Sequence, residues 1–414
     1  MNAPDQVSGR LDTRCCIVGG GPAGMMLGYL LARAGINVVV LEKHADFLRD
    51  FRGDTIHPST LELMYELGLL EKFLQHPHDE VRALTGWVGD AQVRIADFTH
   101  LPTHCKFVAF MPQWDFLAFL AEEGKRLPSF RLLTNTEATD LLVEDGLVTG
   151  VRARSPQGQL AIRAGLTVAA DGRHSVIRQK AGLEIISLGA PMDVLWMRIS
   201  RREDDPPITF GRIVAGKILV MLNRGTYWQC ALVIPKGGFD ELRTRGLPSF
   251  RAQIAALAPF LRDRVEELAD WEQIKLLTVA VDRLERWWRP GLLCIGDAAH
   301  AMSPIGGVGI NLAIQDAVAA ANILFEPLRG GRAQDDKLAA VQKRREFPTR
   351  ATQRMQIAIQ NNVIKRVLGS TQIQVPWILK LVDRWPLLQR IPARVVGLGF
   401  RPEHIHTPEV QLAL

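Results

Sequence analysis

Residues 294–316 read CIGDAAHAMSPIGGVGINLAIQD. Their types and spacing admit three kinds of chemistry. Asp297 and His300 could be an acid–base pair. The glycines at 306, 307 and 309 could form a second nucleotide loop. The same stretch runs into what reads as a helix, so a third role stays open. A second candidate stretch is RCCIVGGGPAGMMLGYLLARAGINVVVLEKH at 14–44. Here Gly19, Gly21 and Gly24 form G-x-G-x-x-G, with Pro22 and Ala23 between the last two. Glycines allow a tight turn and close approach to a pyrophosphate, while a helix N-terminus offers N–H groups and partial positive charge. Glu42 stands where a carboxylate accepts hydrogen bonds from a ribose. This stretch alone reads as dinucleotide binding and leaves FAD and NAD both open.

The elements that must position these residues follow from periodicity. Cys15–Val18 reads as a short apolar strand. Pro22 suits the first helical turn, Met25, Met26, Leu30 and Leu31 recur at helical spacing, and Gly35 is a natural residue just past a helix end. Asn37–Leu41 is a β-branched second strand. LTVAADGRHSVIRQKAG at 166–182 gives a strand over Leu166–Ala170, a turn at Asp171-Gly172, then Ser175 and Arg178. Leu292–Ile295 is another strand, turning at Gly296-Asp297.

Composition narrows the classes. The chain has 414 residues, 47% of them hydrophobic, enough for two or three domains with a real core. Lys and Arg number 50 against 44 Asp and Glu, a mild excess spread along the chain, so no nucleic-acid partner is expected. The five cysteines contain no C-x-x-C pair and are odd in number, which fits a reducing compartment. The first residues lack the apolar core of a signal peptide, no apolar run spans a bilayer uninterrupted, and a cytoplasmic location is expected. The pairs His76/His78, His100/His104 and His404/His406 lack a carboxylate or cysteine cluster, so no metal is expected.

The three motifs, in this order, resemble those of the class A flavoprotein monooxygenases, the FAD-dependent aromatic hydroxylases of the para-hydroxybenzoate hydroxylase fold. The family pattern continues from G-x-G-x-x-G to D-G-x-x-S-x-x-R, matched at Asp171, Gly172, Ser175 and Arg178. It ends in G-D-A-A-H-x-x-x-P-x-x-G-x-G-x-N-x-x-x-x-D, matched from Gly296 to Asp316. The resemblance covers at least residues 14–325. It implies an α/β fold: a Rossmann-like FAD-binding domain of the GR2/PHBH type, an inserted antiparallel β-sheet substrate domain, and C-terminal helices. The expected FAD-binding domain is discontinuous over 1–80, 105–190 and 281–330, with the substrate domain at 81–104 and 191–280 and the helical segment at 331–414.

The same resemblance implies residue roles. Asp297 would accept a hydrogen bond from the ribityl chain of FAD. The turn of Gly307, Gly309, Ile310 and Asn311 would point backbone N–H groups at the N1/O2 edge of the flavin, where reduced flavin carries negative charge. Asp171 and Gly172 would lie near the pyrophosphate and ribose, with Arg178 anchoring their turn. Arg52 matches an arginine that reaches the FAD phosphates, and Gln113 a residue at a helix start that touches the ribityl or phosphate region. Lys43 and Ala138 complete the expected cofactor-binding positions, and Pro304 is expected near the flavin ring. His300 is read as structural. The implied reaction is NAD(P)H-dependent hydroxylation of an aromatic or polyketide-like small molecule, with NADPH or NADH reducing FAD, O2 as co-substrate, and a flavin C4a-hydroperoxide delivering one oxygen. The lack of a second G-x-G-x-x-G fits a nicotinamide that docks transiently. A same-fold flavin reductase or dehydrogenase is the alternative, and a flavin-free NAD-binding dehydrogenase or binding protein a more distant one.

On the substrate side, RIVAGKILVMLNRGTYWQCALVIPKG reads as antiparallel strands with turns at Ala215-Gly216 and Arg224-Gly225. Period two puts Tyr227, Gln229, Ala231 and Val233 on one face and Trp228, Cys230, Leu232 and Ile234 on the other; which face meets the flavin stays open. Tyr227, the only tyrosine in this sheet, is the one candidate substrate contact, with cross-strand packing as the favoured reading. The segment YWQCALVIP lacks the second tryptophan of the flavin-halogenase motif. Pro348 is expected to break the helix beginning near 335. The basic, amphipathic tail beyond it is expected to close over the core, with a peripheral membrane-facing surface as the less favoured reading.

Overall fold

The computed structural model describes residues 9–48, 55–206, 209–214, 216–369 and 375–410. The N-terminal unit is built as its periodicity predicts. The strand Gly9–Val18 runs into the helix Pro22–Arg33, with Pro22 at its first position, and the chain returns as the strand Val38–Leu41. Both strands are buried at their carboxyl ends, as near-continuous apolar runs in a parallel sheet must be.

That sheet has eight strands. Its central order is Leu292–Cys294, Gly158–Ala169, Gly9–Val18, Val38–Leu41, Phe130–Leu133, all parallel. An antiparallel hairpin, Glu137–Glu144 with Leu147–Ser155, extends the strand Gly158–Ala169. Register decides what comes next. Val18 pairs with Leu41 and with Ala169, Ala169 with Cys294, and Leu41 with Leu133. Five strands therefore end in one row, and whatever follows them lies along one rim. The long helix Val308–Arg329 packs across this layer beside the helix Pro22–Arg33. By length and composition the stretch Ile305–Arg329 could cross a membrane, but 78% of its most apolar part is buried inside the protein.

A second sheet of seven strands has the order Lys275–Leu277, Met192–Ser200, Tyr227–Pro235, Lys217–Asn223, Phe210–Val214, Ala83–Val88, Ala91–Asp97. Residues 83–97 thus join strands more than a hundred positions later. The predicted alternation decides the two faces. Trp228, Cys230, Leu232 and Ile234 pack outward against the helix Leu247–Leu257. Ala231 and Val233 point the other way, in one apolar cluster with Ile305 of the third motif. Of the two predicted turns, Ala215 lies outside the described residues, while Arg224-Gly225 does connect two strands, with Gly225 in the left-handed region.

One expectation is overturned. Pro348 does not break its helix, which runs unbroken from Asp335 to Ile359. Proline removes one intrahelical hydrogen bond and normally costs about 3 kcal/mol. Here Pro348 is buried, and its neighbours Arg345, Thr349, Thr352, Gln353 and Gln356 are buried with it. Gln353 and Gln356 each hold backbone groups of residues 282–305, so tertiary pairing outweighs the local penalty.

Candidate functional site

The common rim of the parallel sheet collects the three motifs. Gly19 follows Val18, Glu42 follows Leu41, Asp171 lies two residues past Ala169, and Gly296 two past Cys294. Backbone hydrogen bonds carry the register one step further: Gly19 donates to Leu41 (2.8 Å), Ala170 to Val18 (2.8 Å) and Ile295 to Ala169 (3.0 Å). In open α/β sheets this carboxyl edge is where ligands bind. Motifs separated by up to 280 residues meet here because their strands are parallel and in step.

The first glycine loop is shaped by close approach. Gly19 has φ +109°, and a Cβ there would lie 2.3 Å from the Ala170 carbonyl oxygen; at Gly24 it would lie 1.9 Å from that of Gly19. The helix Pro22–Arg33 has no side-chain cap at Gly21, leaving first-turn N–H groups for an incoming anion. Glu42 is buried and accepts hydrogen bonds from the amides of Gly20 (3.1 Å) and His44 (3.0 Å), so its carboxylate is fixed against the loop. Thr136 and Asn135 donate to the carbonyls of Glu42 and His44, which brings the strand bearing buried Ala138 alongside. Lys43 is exposed. Gln113 begins the helix Gln113–Lys125 and is half-buried. Arg52 lies outside the described residues.

The second motif is a braced turn. Ser175 caps the short helix Val176–Lys180 by accepting from Arg178 N (2.9 Å). Asp171 accepts from Ile177 N (3.2 Å); burial raises its carboxyl pKa against the lowering effect of the Ser175 and backbone hydrogen bonds. Arg178, buried, donates to the carbonyls of Ala298 (3.2 Å) and Arg173 (2.7 Å), tying the second motif to the third. Arg173, not singled out by the sequence, meets Asp297 at 3.3 Å. Gly172 is at φ +84°.

The third motif delivers a helix end. Pro304 leads into a short turn, and Gly307, at φ 62°, is the N-cap of Val308–Arg329 with no side-chain cap and no acidic residue in the first turn. The backbone N–H groups of Gly309 and Ile310 belong to that uncapped first turn. The Asn311 side chain is fully engaged instead: its Oδ1 accepts from His57 N (2.9 Å) and Thr60 Oγ1 (2.7 Å), and its Nδ2 donates to the Thr55 carbonyl (3.1 Å). Thr55 Oγ1 in turn donates to the Gly307 carbonyl (3.1 Å). Asn311 therefore fixes the turn.

Behind the turn is a buried ionic hub. Asp316 accepts from His300 Nε2 (2.6 Å), Gly296 N (3.1 Å) and Arg345 Nε (3.0 Å). Arg345 continues to Glu403 (3.1 Å), which also binds Arg344 (2.7 Å). Burial alone would raise the Asp316 pKa, but His300 and then Arg345 outweigh it and hold the carboxylate below its ordinary range. His300 is 1% exposed and lies against Trp287, so His300 and Asp316 are out of reach of a substrate. Neither Arg345 nor Glu403 sits in a motif; no local signal marks them.

His57, at the N-cap of Pro58–Glu66, is buried with Nδ1 2.6 Å from the Val396 carbonyl oxygen. That oxygen can only accept, so Nδ1 carries the proton of a neutral ring. Burial lowers its pKa from 6.5 to about 4, although the Val396 hydrogen bond acts in the opposite sense. The unfolded chain therefore takes up this proton first as pH falls. Stability is complete above about pH 6.5 and is lost progressively toward pH 4, by about 2 kcal/mol between pH 7.5 and 5. In urea unfolding at these two pH values, His57→Asn should remove about that much of the pH dependence; an unchanged difference would refute the assignment.

Tyr227 begins its strand, away from Ala231 and Val233, with the Arg198 guanidinium 3.8 Å from its ring centroid. It lines a separate cleft of about 260 Å³ with Arg198, Ser200, Thr226 and Glu267, to which no residue of the three motifs contributes. Among the described residues there is no His/Cys/Asp/Glu group that could hold a metal.

The residues present fit the FAD that the motifs imply: a glycine loop that side chains would block, an uncapped helix start for the pyrophosphate, and a second uncapped helix start at Gly307. Comparison with known proteins agrees. The family model for the FAD binding domain matches residues 12–355. The chain is 33% identical over 388 residues to 6-methylpretetramide 4-monooxygenase of Streptomyces rimosus, covering 92% of each. It is 30% identical to rifampicin monooxygenase of Streptomyces venezuelae over 73% of this chain and 61% of that one. Among solved structures it superposes on OxyS anhydrotetracycline hydroxylase from Streptomyces rimosus with TM-score 0.74 and 22% identity, covering 94% of this chain and 76% of that one. It also matches PqsL, a probable FAD-dependent monooxygenase from Pseudomonas aeruginosa, with TM-score 0.72 and 22% identity, covering 85% and 96%; these two show the shared fold. The chain belongs to the class A FAD-dependent aromatic hydroxylase family and is a flavoprotein monooxygenase that uses NAD(P)H and O2.

Proposed function

We propose that this enzyme hydroxylates a carbon of a fused-ring phenolic polyketide. The observation that carries the reading is the 33% identity, along nearly the whole of both chains, to a protein named for oxygenating 6-methylpretetramide. The inner face of the second sheet supports it. Val194, Trp196, Ile218, Val220, Ala231 and Val233 form one apolar cluster with Ile305 of the third motif and with Ile364, Val367 and Leu368 of the C-terminal segment. Such a wall suits a large flat apolar ring system and excludes the water that would compete at the reacting centre.

When bound, FAD supplies the means to pass electrons from NAD(P)H to O2 and to deliver one oxygen atom to the substrate. The chain's part is to bind and orient. In this reading the N–H groups at the start of Pro22–Arg33 hold the pyrophosphate, with Glu42 beside the ribose. Asp171, Gly172 and Asp297 line the path toward the ribityl chain, and Gln113, Lys43, Ala138 and Arg52 complete the cofactor contacts. In the Gly307–Asn311 turn the Gly309 and Ile310 N–H groups are directed to the flavin edge that becomes negative on reduction, a preorganised donor set that needs no rearrangement. Pro304 and Ile305 lie between that turn and the substrate wall. Tyr227, covered by Arg198, is assigned to packing at the sheet end.

A panel of tetracyclic phenols and single-ring phenols tests the substrate class. Tetracyclic compounds should accelerate NAD(P)H oxidation and gain one oxygen atom by mass. Faster oxidation without an oxygenated product, or hydroxylation confined to single-ring phenols, would overturn it.

A further inference from the structure

The C-terminal helices Trp377–Arg384 and Pro386–Gly397 carry a cluster of exposed apolar residues that the proposed reaction does not use. Of the fourteen large apolar residues exposed among the described residues, five lie here: Trp377 (75%), Leu381 (41%), Trp385 (55%), Leu387 (64%) and Ile391 (63%). Singly exposed apolar residues need no explanation, but a cluster does.

Their spacing is regular. Trp377 and Leu381 are four apart, as are Leu387 and Ile391, so each pair forms a stripe on its helix. Three residues after each of these four comes a cation: Lys380, Arg384, Arg390 and Arg394. A step of three on a helix is one turn along and about 60° round, so each of these four apolar side chains is flanked by a basic one. All four cations are exposed, and none is in an ion pair among the described residues. The one acidic residue of these helices, Asp383, accepts from the backbone of Arg94 (2.8 Å).

The opposite face is anchored. Gln389, Ala393 and Gly397 are buried, and a Cβ at Gly397 would lie 2.7 Å from Leu101. Both helices therefore pack on the edge strand Ala91–Asp97 of the second sheet and leave these apolar and basic side chains outward.

We propose that this face is a docking surface for an anionic phospholipid bilayer, with the tryptophans and leucines at the headgroup–acyl boundary and the four cations on lipid phosphates. Tryptophan favours that boundary, and long basic side chains reach from it to headgroups. Charge decides against a second copy of this chain as occupant. A two-fold pairing would set the four unpaired cations against their own equivalents, whereas an anionic bilayer neutralises them.

Flotation of the FAD-loaded full chain with vesicles tests this, comparing phosphatidylcholine alone with phosphatidylcholine containing phosphatidylglycerol. Binding should be at least about tenfold stronger to the anionic vesicles, because the basic side chains are attracted to their surface. It should weaken at high salt and be lost in W377S/W385S and in K380E/R384E, whose exposed positions leave flavin content unchanged. Absence of binding, binding that survives both double variants, or a dimer in sedimentation that W377S/W385S dissociates would each overturn the proposal.

Discussion

Replacing Gly21 by alanine is expected to leave the apoprotein as stable as the native chain and to weaken FAD binding roughly 10- to 100-fold. Gly21 has φ −76° and ψ −177°, a backbone that any residue adopts, and a Cβ there would meet no protein atom within 4 Å. The fold does not require glycine at this position. The space a methyl group would enter lies at the uncapped start of Pro22–Arg33, where the pyrophosphate is proposed to sit. Overfilling a packed site costs about 1–3 kcal/mol, which converts to that loss of affinity. Gly24→Ala is the contrast: its Cβ would lie 1.9 Å from the Gly19 carbonyl oxygen, so both the melting temperature and the flavin affinity should fall. Flavin titration of the apoproteins beside their thermal melts separates the two cases. If Gly21→Ala bound FAD as the native chain does, the pyrophosphate would lie elsewhere on the rim.

Arg345→Met should be the most damaging single change away from the rim, costing about 3–5 kcal/mol of stability. Arg345 is 1% exposed and stands between Asp316, 0% exposed, and Glu403, 5% exposed. Removing it takes from two interior carboxylates the cation they share, leaving Asp316 with His300 and Glu403 with the half-exposed Arg344, and breaking a buried pair from one side carries that cost. Because Asp316 also accepts from Gly296 N, the turn carrying Asp297 should loosen, and flavin affinity should drop with stability. Adding Glu403→Gln should restore part of the loss by removing one stranded charge. Urea unfolding of the three proteins measures this; a single-variant loss below about 1 kcal/mol would show that water or rearrangement already compensates.

The parts of this molecule that were legible in the sequence are those whose chemistry is local. The G-x-G-x-x-G turn, the Pro22 helix start and the Ser175 cap each satisfy backbone needs within a few residues, so residue type and spacing suffice to find them. The alternation in Tyr227–Ile234 was equally readable, because a strand has period two wherever it lies. Pro348 was misread for the same reason: its local preference is to end a helix, and only the buried contacts of Gln353 and Gln356 with residues 282–305 override it. The role of Asn311 was half legible. Its place in the motif was clear, but its hydrogen bonds to Thr55, His57 and Thr60 depend on a segment some 250 positions away.

By itself, then, the sequence determined three turns able to hold a dinucleotide and a flavin, the strands and helices that carry them, and a family resemblance strong enough to imply monooxygenation. Tertiary structure alone decided that those turns share one rim, through the parallel register of Val18, Leu41, Ala169 and Cys294. It also decided that Ala231 and Val233 cluster with Ile305 of the third motif, that Arg345 and Glu403 secure it, and that the C-terminal tail keeps an apolar, basic face in solvent. The division has a physical cause. Turn and cap geometry is set by adjacent residues, whereas strand register, burial and the pairing of interior charges depend on segments that only the folded chain brings together.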